Sequence, residues 1–272
     1  IQITKFVLES VSPKIILIEK PLSIPNLDIL KELKENIQNY DSLLLVGYNH
    51  NLTDNTKYAE SLIRDNVIGD PLTMHVRWLE SWEGIFEAHP WLDGPQDSYL
   101  GYYKRGGGAC GEHSHAISIW NHFSKMMNCG KISSVSSLMD IYSEDNLNYD
   151  RSTFINLISE EGLYGTVIQD VITASPLKNT FIQGSKGYIS WFVNYDNKND
   201  AVIFSADNKS ENIKLFPKTR PDDFKGEIIE IKRLLEDPSS NSPISFEDGY
   251  HCMKIISSSF DSAHNNSKII NL

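Results

Sequence analysis

The sequence has little cysteine: Cys110, Cys129 and Cys252 are its only three, widely spaced and without a CxxC pair. A disulfide framework and a zinc ribbon are therefore not indicated, and the three read as small buried hydrophobes in a reducing compartment. Long apolar runs are lacking too. None approaches the ~18 residues needed to span a bilayer, and no signal peptide opens the chain. The expectation is a soluble cytoplasmic protein with no membrane partner. Positive charge is scarce: 25 Lys and Arg stand against 36 Asp and Glu, a net charge of -11. That balance argues against a broad nucleic-acid footprint, so an anionic ligand would have to be met by local cations or backbone amides. Internal repeats, low-complexity tracts and coiled-coil heptads are missing as well.

What is there has the composition of a soluble globular protein, long enough for one large domain or two modest ones. Residues 1–9 pattern as an amphipathic helix ended by Ser12-Pro13. Lys14 to Glu19 is a short continuous apolar run, the pattern of a strand buried on both faces of a parallel sheet. Lys20-Pro21 closes it at the sheet edge where ligands bind in open α/β folds. A helix over 26–40, with Asn26 as its cap and Leu27, Leu30, Leu33 and Ile37 on one stripe, leads to a second such strand over 42–46. Gly47-Tyr48-Asn49-His50 follows at the same edge. Strand, helix, strand with short joins is a parallel βαβ unit.

After a helix over 53–66 and the phrase Val67-Ile68-Gly69-Asp70-Pro71, the pattern changes. Thr73 to Leu79 alternates as a strand. An aromatic-rich stretch from Trp78 to Tyr103 follows, whose rings suit either a core or the apolar face of a sugar or base. Strand-like runs at 131–141, 162–172, 180–182, 188–195, 201–205 and 212–216 predict an antiparallel sheet. Helices over 222–236 and 246–263 close the chain, the last expected to pack back towards the first domain. The fold class is α/β plus α+β: a partial Rossmann-like parallel sheet over 1–70, then a substrate and oligomerisation domain over 71–272 with an open, mainly antiparallel sheet.

The chain is organised around 106–123, GGGACGEHSHAISIWNHF. Its glycines allow close backbone approach, and a run with helical spacing follows. On one helix Glu112 and His115 would share a face and make an acid/base pair. A metal reading of Glu112, His115 and His122 is the lesser one, since a single helix rarely supplies a closed ligand set.

Glu19-Lys20-Pro21 ending one strand, Gly47-Tyr48-Asn49-His50 ending the next, and Gly106-Gly107-Gly108 leading into Glu112 and His115 resemble the Gfo/Idh/MocA oxidoreductases. Val67 to Pro71, Gly184 to Ile189 and Phe246-Glu247-Asp248-Gly249 strengthen the resemblance across nearly the whole chain. It implies a Rossmann domain binding NAD or NADP, hydride transfer at a sugar, polyol or sugar-nucleotide carbon, and a homo-oligomer (dimer or tetramer) formed through the open sheet. It makes Lys20, His115 and Glu112 the catalytic set, with Glu112 orienting or tuning His115. Glu19, Lys20, Pro21 and Asn49 would line the cofactor, and Trp78, Tyr103, Arg105 and His113 the substrate; no metal is implied. The stretch from His89 to Arg105 resembles members associated with bacterial surface-polysaccharide sugars, and Lys104 and Arg105 could meet a phosphate.

The sequence departs from that pattern in three places. It has no GxGxxG and no acidic residue after a second strand to read a ribose, so about half of the Rossmann domain is expected upstream of Ile1. Glu112 stands where an aspartate is usual, and Ser118 where many relatives carry an acid. The alternative reading is therefore a non-catalytic sugar-binding or scaffold relative.

Overall fold

The computed structural model describes residues 1–207 and 209–272. Its first part is α1 (Gln2–Val11), β1 (Ile15–Ile18), α2 (Leu27–Ile37) and β2 (Leu43–Val46). β1 and β2 are parallel neighbours, with Ile15 opposite Leu43 and Ile18 opposite Val46. The Asn26 side chain accepts from the amides of Asp28 and Ile29, which satisfies two of the donors a helix start leaves open. After α3 (Asp54–Arg64) come β3 (Pro71–Leu79) and the short α4 (Glu83–Ala88).

The second part is one nine-stranded sheet. Its further strands are β4 (Ile132–Tyr142), β5 (Tyr149–Ser159), β6 (Tyr164–Asp170), β7 (Leu177–Gly184), β8 (Gly187–Val193), β9 (Asn199–Ala206), β10 (Asn212–Pro217) and β11 (Ile270–Asn271). The order is β10-β9-β8-β7-β3-β6-β5-β4-β11. Every pairing is antiparallel except β3 with β6, which is parallel. The sheet is therefore mixed at its centre, because β3 arrives from the βαβ part and is inserted between two later strands. β5 escapes the reading from sequence for a physical reason. Its inward face begins with Asp150 and Thr153, both fully buried, so apolar alternation sets in only at Ile155 and Leu157.

The long central helix expected over the glycine stretch is two helices, α5 (Gly108–Glu112) and α6 (His115–Met126), broken at His113-Ser114. α6 lies on the inner face of the sheet, where the Trp120 indole donates to the Met74 carbonyl at 3.1 Å. The chain ends through α7 (Asp222–Glu236) and α8 (Phe246–His264). α8 touches both sheets. Gly249 sits so close to β2 that a Cβ there would lie 2.4 Å from Val46 Cγ2, while the hydroxyl of Ser137 on β4 donates to the carbonyl of Ser259.

Candidate active site

The strand ends of the small sheet and the start of α6 face one another across a cleft of about 830 Å³. Glu19, Lys20, Gly47, Asn49 and His50 line one side, and Trp78, Glu80, Glu112, His113, His115 and Lys178 the other. Two motifs some ninety residues apart are brought together by glycine. Gly106 has a left-handed φ of 92°, and a Cβ on it would lie 3.3 Å from Pro21 Cγ. Pro21 therefore packs under the glycine turn and lies outside the cleft, contrary to its expected place against a cofactor. The Lys20–Pro21 peptide is cis.

Lys20 is fixed by Glu112. Its Nζ stands 3.0 Å from Glu112 Oε1 and donates to the Glu112 carbonyl at 2.8 Å, with both side chains 16% exposed. The Tyr99 hydroxyl donates to the other carboxylate oxygen at 2.7 Å. Burial pushes the Glu112 carboxyl up, but Lys20 beside it, with His113 and the Tyr99 hydrogen bond, brings it below its ordinary value. Glu112 does not orient His115. The two face the same cleft from successive helices, and the turn between them removes the shared face that a spacing of three would give on one helix. Glu112 holds Lys20 instead.

His115 is packed among rings. Trp78 stacks on it at 5.6 Å between centroids and 21° between planes, and Tyr48 meets it edge-on at 5.7 Å. His50 approaches to 4.9 Å at 81°. Burial holds the His115 imidazole well below its ordinary pKa, and the neighbouring His50 and Lys20 push the same way, so the ring is a neutral base at working pH. His113 is buried too and is pushed down to about 4, chiefly by burial, with Glu112 opposing. Asn49 donates to the Asp223 carbonyl at 3.1 Å and thereby ties the β2 end to α7.

Tyr103 and Arg105 are not brought to this cleft. Tyr103 stacks on Phe260 at 4.6 Å beside Lys104 in a separate hollow near the start of α2, and the exposed Arg105 guanidinium lies 4.2 Å over the Tyr102 ring. His122 is bonded to Glu60 at 2.6 Å, away from His115. Among the described residues no three His, Cys, Asp or Glu side chains converge as a metal site. Reading the sequence missed Tyr99, Lys178 and Glu80. Lys178 at the start of β7 pairs at 2.6 Å with Glu80 just past the end of β3, and neither carries a motif that would single it out.

No protein-family model and no curated protein matches the sequence. Solved structures match its fold. A levoglucosan dehydrogenase in complex with NADH and levoglucosan superposes with a TM-score of 0.76 at 18% identity, over 94% of this chain and 73% of that one. An inositol dehydrogenase homolog complexed with NAD+ from Azotobacter vinelandii gives 0.77 at 15%, over 100% and 75%. The chain shares the fold of these Gfo/Idh/MocA-type dehydrogenases. A putative oxidoreductase from Thermotoga maritima gives 0.73 at 13% identity, over 99% of this chain and 83% of that one. In the Gfo/Idh/MocA fold seen here, the small parallel sheet supplies Lys20 and Asn49, and the large sheet with α6 supplies Trp78 and His115.

Proposed function

We propose that the protein is an NAD(P)-dependent oxidoreductase that moves a hydride to or from a sugar or polyol carbon. The observation that carries this reading is the meeting of Lys20 and His115 in one cleft, an ion-paired ammonium and a neutral imidazole lining the same space. The residues present fit the nicotinamide end of such a cofactor. Gly47 leaves open a space at the β2 end in which a Cβ would come 3.2 Å from the Glu19 carboxylate, and Lys20 and Asn49 border it. When bound, the cofactor accepts hydride from the carbon bearing the reacting hydroxyl, or returns it.

The remaining work falls to side chains of this chain. A secondary alcohol gives up hydride only as its proton leaves, so a base must be in place, and His115 offers one that is uncharged near neutral pH. Lys20 stabilises the oxyanion that develops on the same oxygen. Glu112 and Tyr99 fix Lys20 for that task, and the stacked Trp78 sets the plane of the His115 ring. The finer assignment to surface-polysaccharide sugars rests on the resemblance of residues 89–105 alone, because Lys104 and Arg105 stand outside the cleft.

The test is a titration of NADH and NADPH followed by nicotinamide fluorescence, then turnover with levoglucosan and myo-inositol. Saturable cofactor binding with polyol-dependent reduction of NAD+ or NADP+ is the expected result. Polyol binding by a folded protein that takes up neither cofactor would replace this reading with a cofactor-free binding role.

A further inference from the structure

Most charges around the cleft are matched. Lys20 pairs with Glu112, Lys178 with Glu80, and Lys218 with both Asp200 and Asp223, while on α7 Arg233 pairs with Glu230. Two carboxylates are left over. Glu19, just past the end of β1, and Glu227 on α7 meet neither a cation nor a hydrogen-bond donor among the described residues. Glu227 is only 6% exposed, and a buried polar group is ordinarily satisfied within the protein.

The two carboxylates converge on Gly47. A Cβ built there would lie 3.2 Å from Glu19 Oε2 and 3.5 Å from Glu227 Oε1. Gly47 lines the cleft with Glu19, Lys20 and Asn49, so both acids flank a point on its wall where no side chain stands. Burial, with the Glu19 carboxylate beside it, raises the Glu227 pKa to about 7. The other ionisable groups around it are occupied or uncharged. On its own helix Asp223 and Glu230 are held by Lys218 and Arg233, Lys20 is turned to Glu112, and burial keeps His50 neutral.

We propose that Glu19 and Glu227 together form an electrostatic seat for the cationic nicotinamide ring, so that the site takes the oxidised cofactor in preference to the reduced one. This rests on the dehydrogenase reading and adds to it which redox form is held. The oxidised ring carries a positive charge and the reduced ring none, so two carboxylates without a counter-ion favour the first. Lys20, already neutralised by Glu112, does not oppose it. Where Glu227 is protonated, it gives its proton to solvent as the cation binds and takes one back once the ring is neutral. Affinity for the cation therefore rises with pH up to about 7 and levels off above it, while affinity for a neutral ring stays level.

The experiment uses the ring alone, so that it does not depend on how the rest of a dinucleotide is held. The 1-methylnicotinamide cation is compared with neutral nicotinamide by ligand-observed NMR across a range of pH. The cation should bind about fivefold more tightly at pH 8.5 than at pH 5.5, and nicotinamide equally at both. Glu227→Gln, of the same size and unable to ionise, should abolish the response. Glu19→Gln should weaken the cation at high pH and leave nicotinamide unchanged, which decides the matter if the first variant does not fold. Cation binding that ignores pH, a response that survives Glu227→Gln, or binding of neither probe would overturn the assignment. The two readings fail separately. A pH-dependent preference for the cation in a protein that reduces neither NAD+ nor NADP+ with levoglucosan or myo-inositol would sink the dehydrogenase reading and leave the carboxylate pair in its role. Polyol-dependent reduction of NAD+ with pH-independent cation binding would do the reverse.

Discussion

At the scale of single residues, the site is defined by charges that are paired and rings that are not. Lys20 has its counter-ion in Glu112, while His115 has only rings and distant cations around it. The sign of the resulting pH dependence follows. Depressing the pKa of His115 extends its base form to lower pH, so kcat/KM for alcohol oxidation should stay level as pH falls through 6.5, where an ordinary histidine would begin to protonate. A pH profile of oxidation in the wild type tests this, and a break at 6.5 would show that His115 is not the base. Lys20, Glu112 and His115 stand out in the sequence because each sits in a motif with a chemical reason, and the three do line one cleft. The link between them was not. The pairing of Glu112 with Lys20 depends on where two helices are cut, and a break at His113-Ser114 leaves no mark in hydrophobic periodicity.

At the scale of elements, the glycine stretch is placed by a buried carboxyl. Asp150 on β5 accepts from the Cys110 amide at 2.7 Å and from the Thr153 hydroxyl, and its Oδ1 occupies the space beside Gly108. Gly108 has φ 77°, and a Cβ there would lie 1.8 Å from that oxygen, so no other residue fits. Burial raises the Asp150 pKa to about 7. The folded state therefore keeps a proton that the unfolded chain loses above about pH 3.8, and stability drains away as pH rises from there until the folded carboxyl also ionises near 7. Asp150→Asn mimics the protonated form. Relative to wild type it should gain on the order of 4 kcal/mol between pH 4 and pH 8, read as a growing difference in denaturation midpoint. A difference independent of pH would show that Asp150 is ionised in the folded protein. Sequence reading did not reach this contact because it passed over β5, whose inward polar residues are the very ones that hold α5.

For the whole molecule, the nine-stranded sheet is covered by helices on one face and bare on the other. Leu138, Phe154 and Tyr164 on that bare face are 66%, 47% and 61% exposed, and exposed apolar side chains grouped on one face are the kind of surface that meets a partner. We propose that this face joins copies of the chain, as the resemblance noted from sequence implies. Phe154→Glu should shift the sedimentation coefficient to that of a monomer, and an unchanged assembly would place the contact elsewhere. The two-sheet layout was legible at this scale, since continuous apolar runs and alternating ones announce different sheets. The parallel contact of β3 with β6 was not, because the insertion of an early strand between later ones is a matter of topology rather than of local pattern.

α8 carries a consequence for motion. Gly249 is wedged against β2 and Ser259 is bonded to β4, so a single helix splints the two sheets that form the walls of the cleft. A hinge between those walls would have to strip a close-packed glycine contact and a buried hydrogen bond at the same time. Ile85 of α4, His89 just past it and Phe224 at the start of α7 line the cleft whose walls this helix joins.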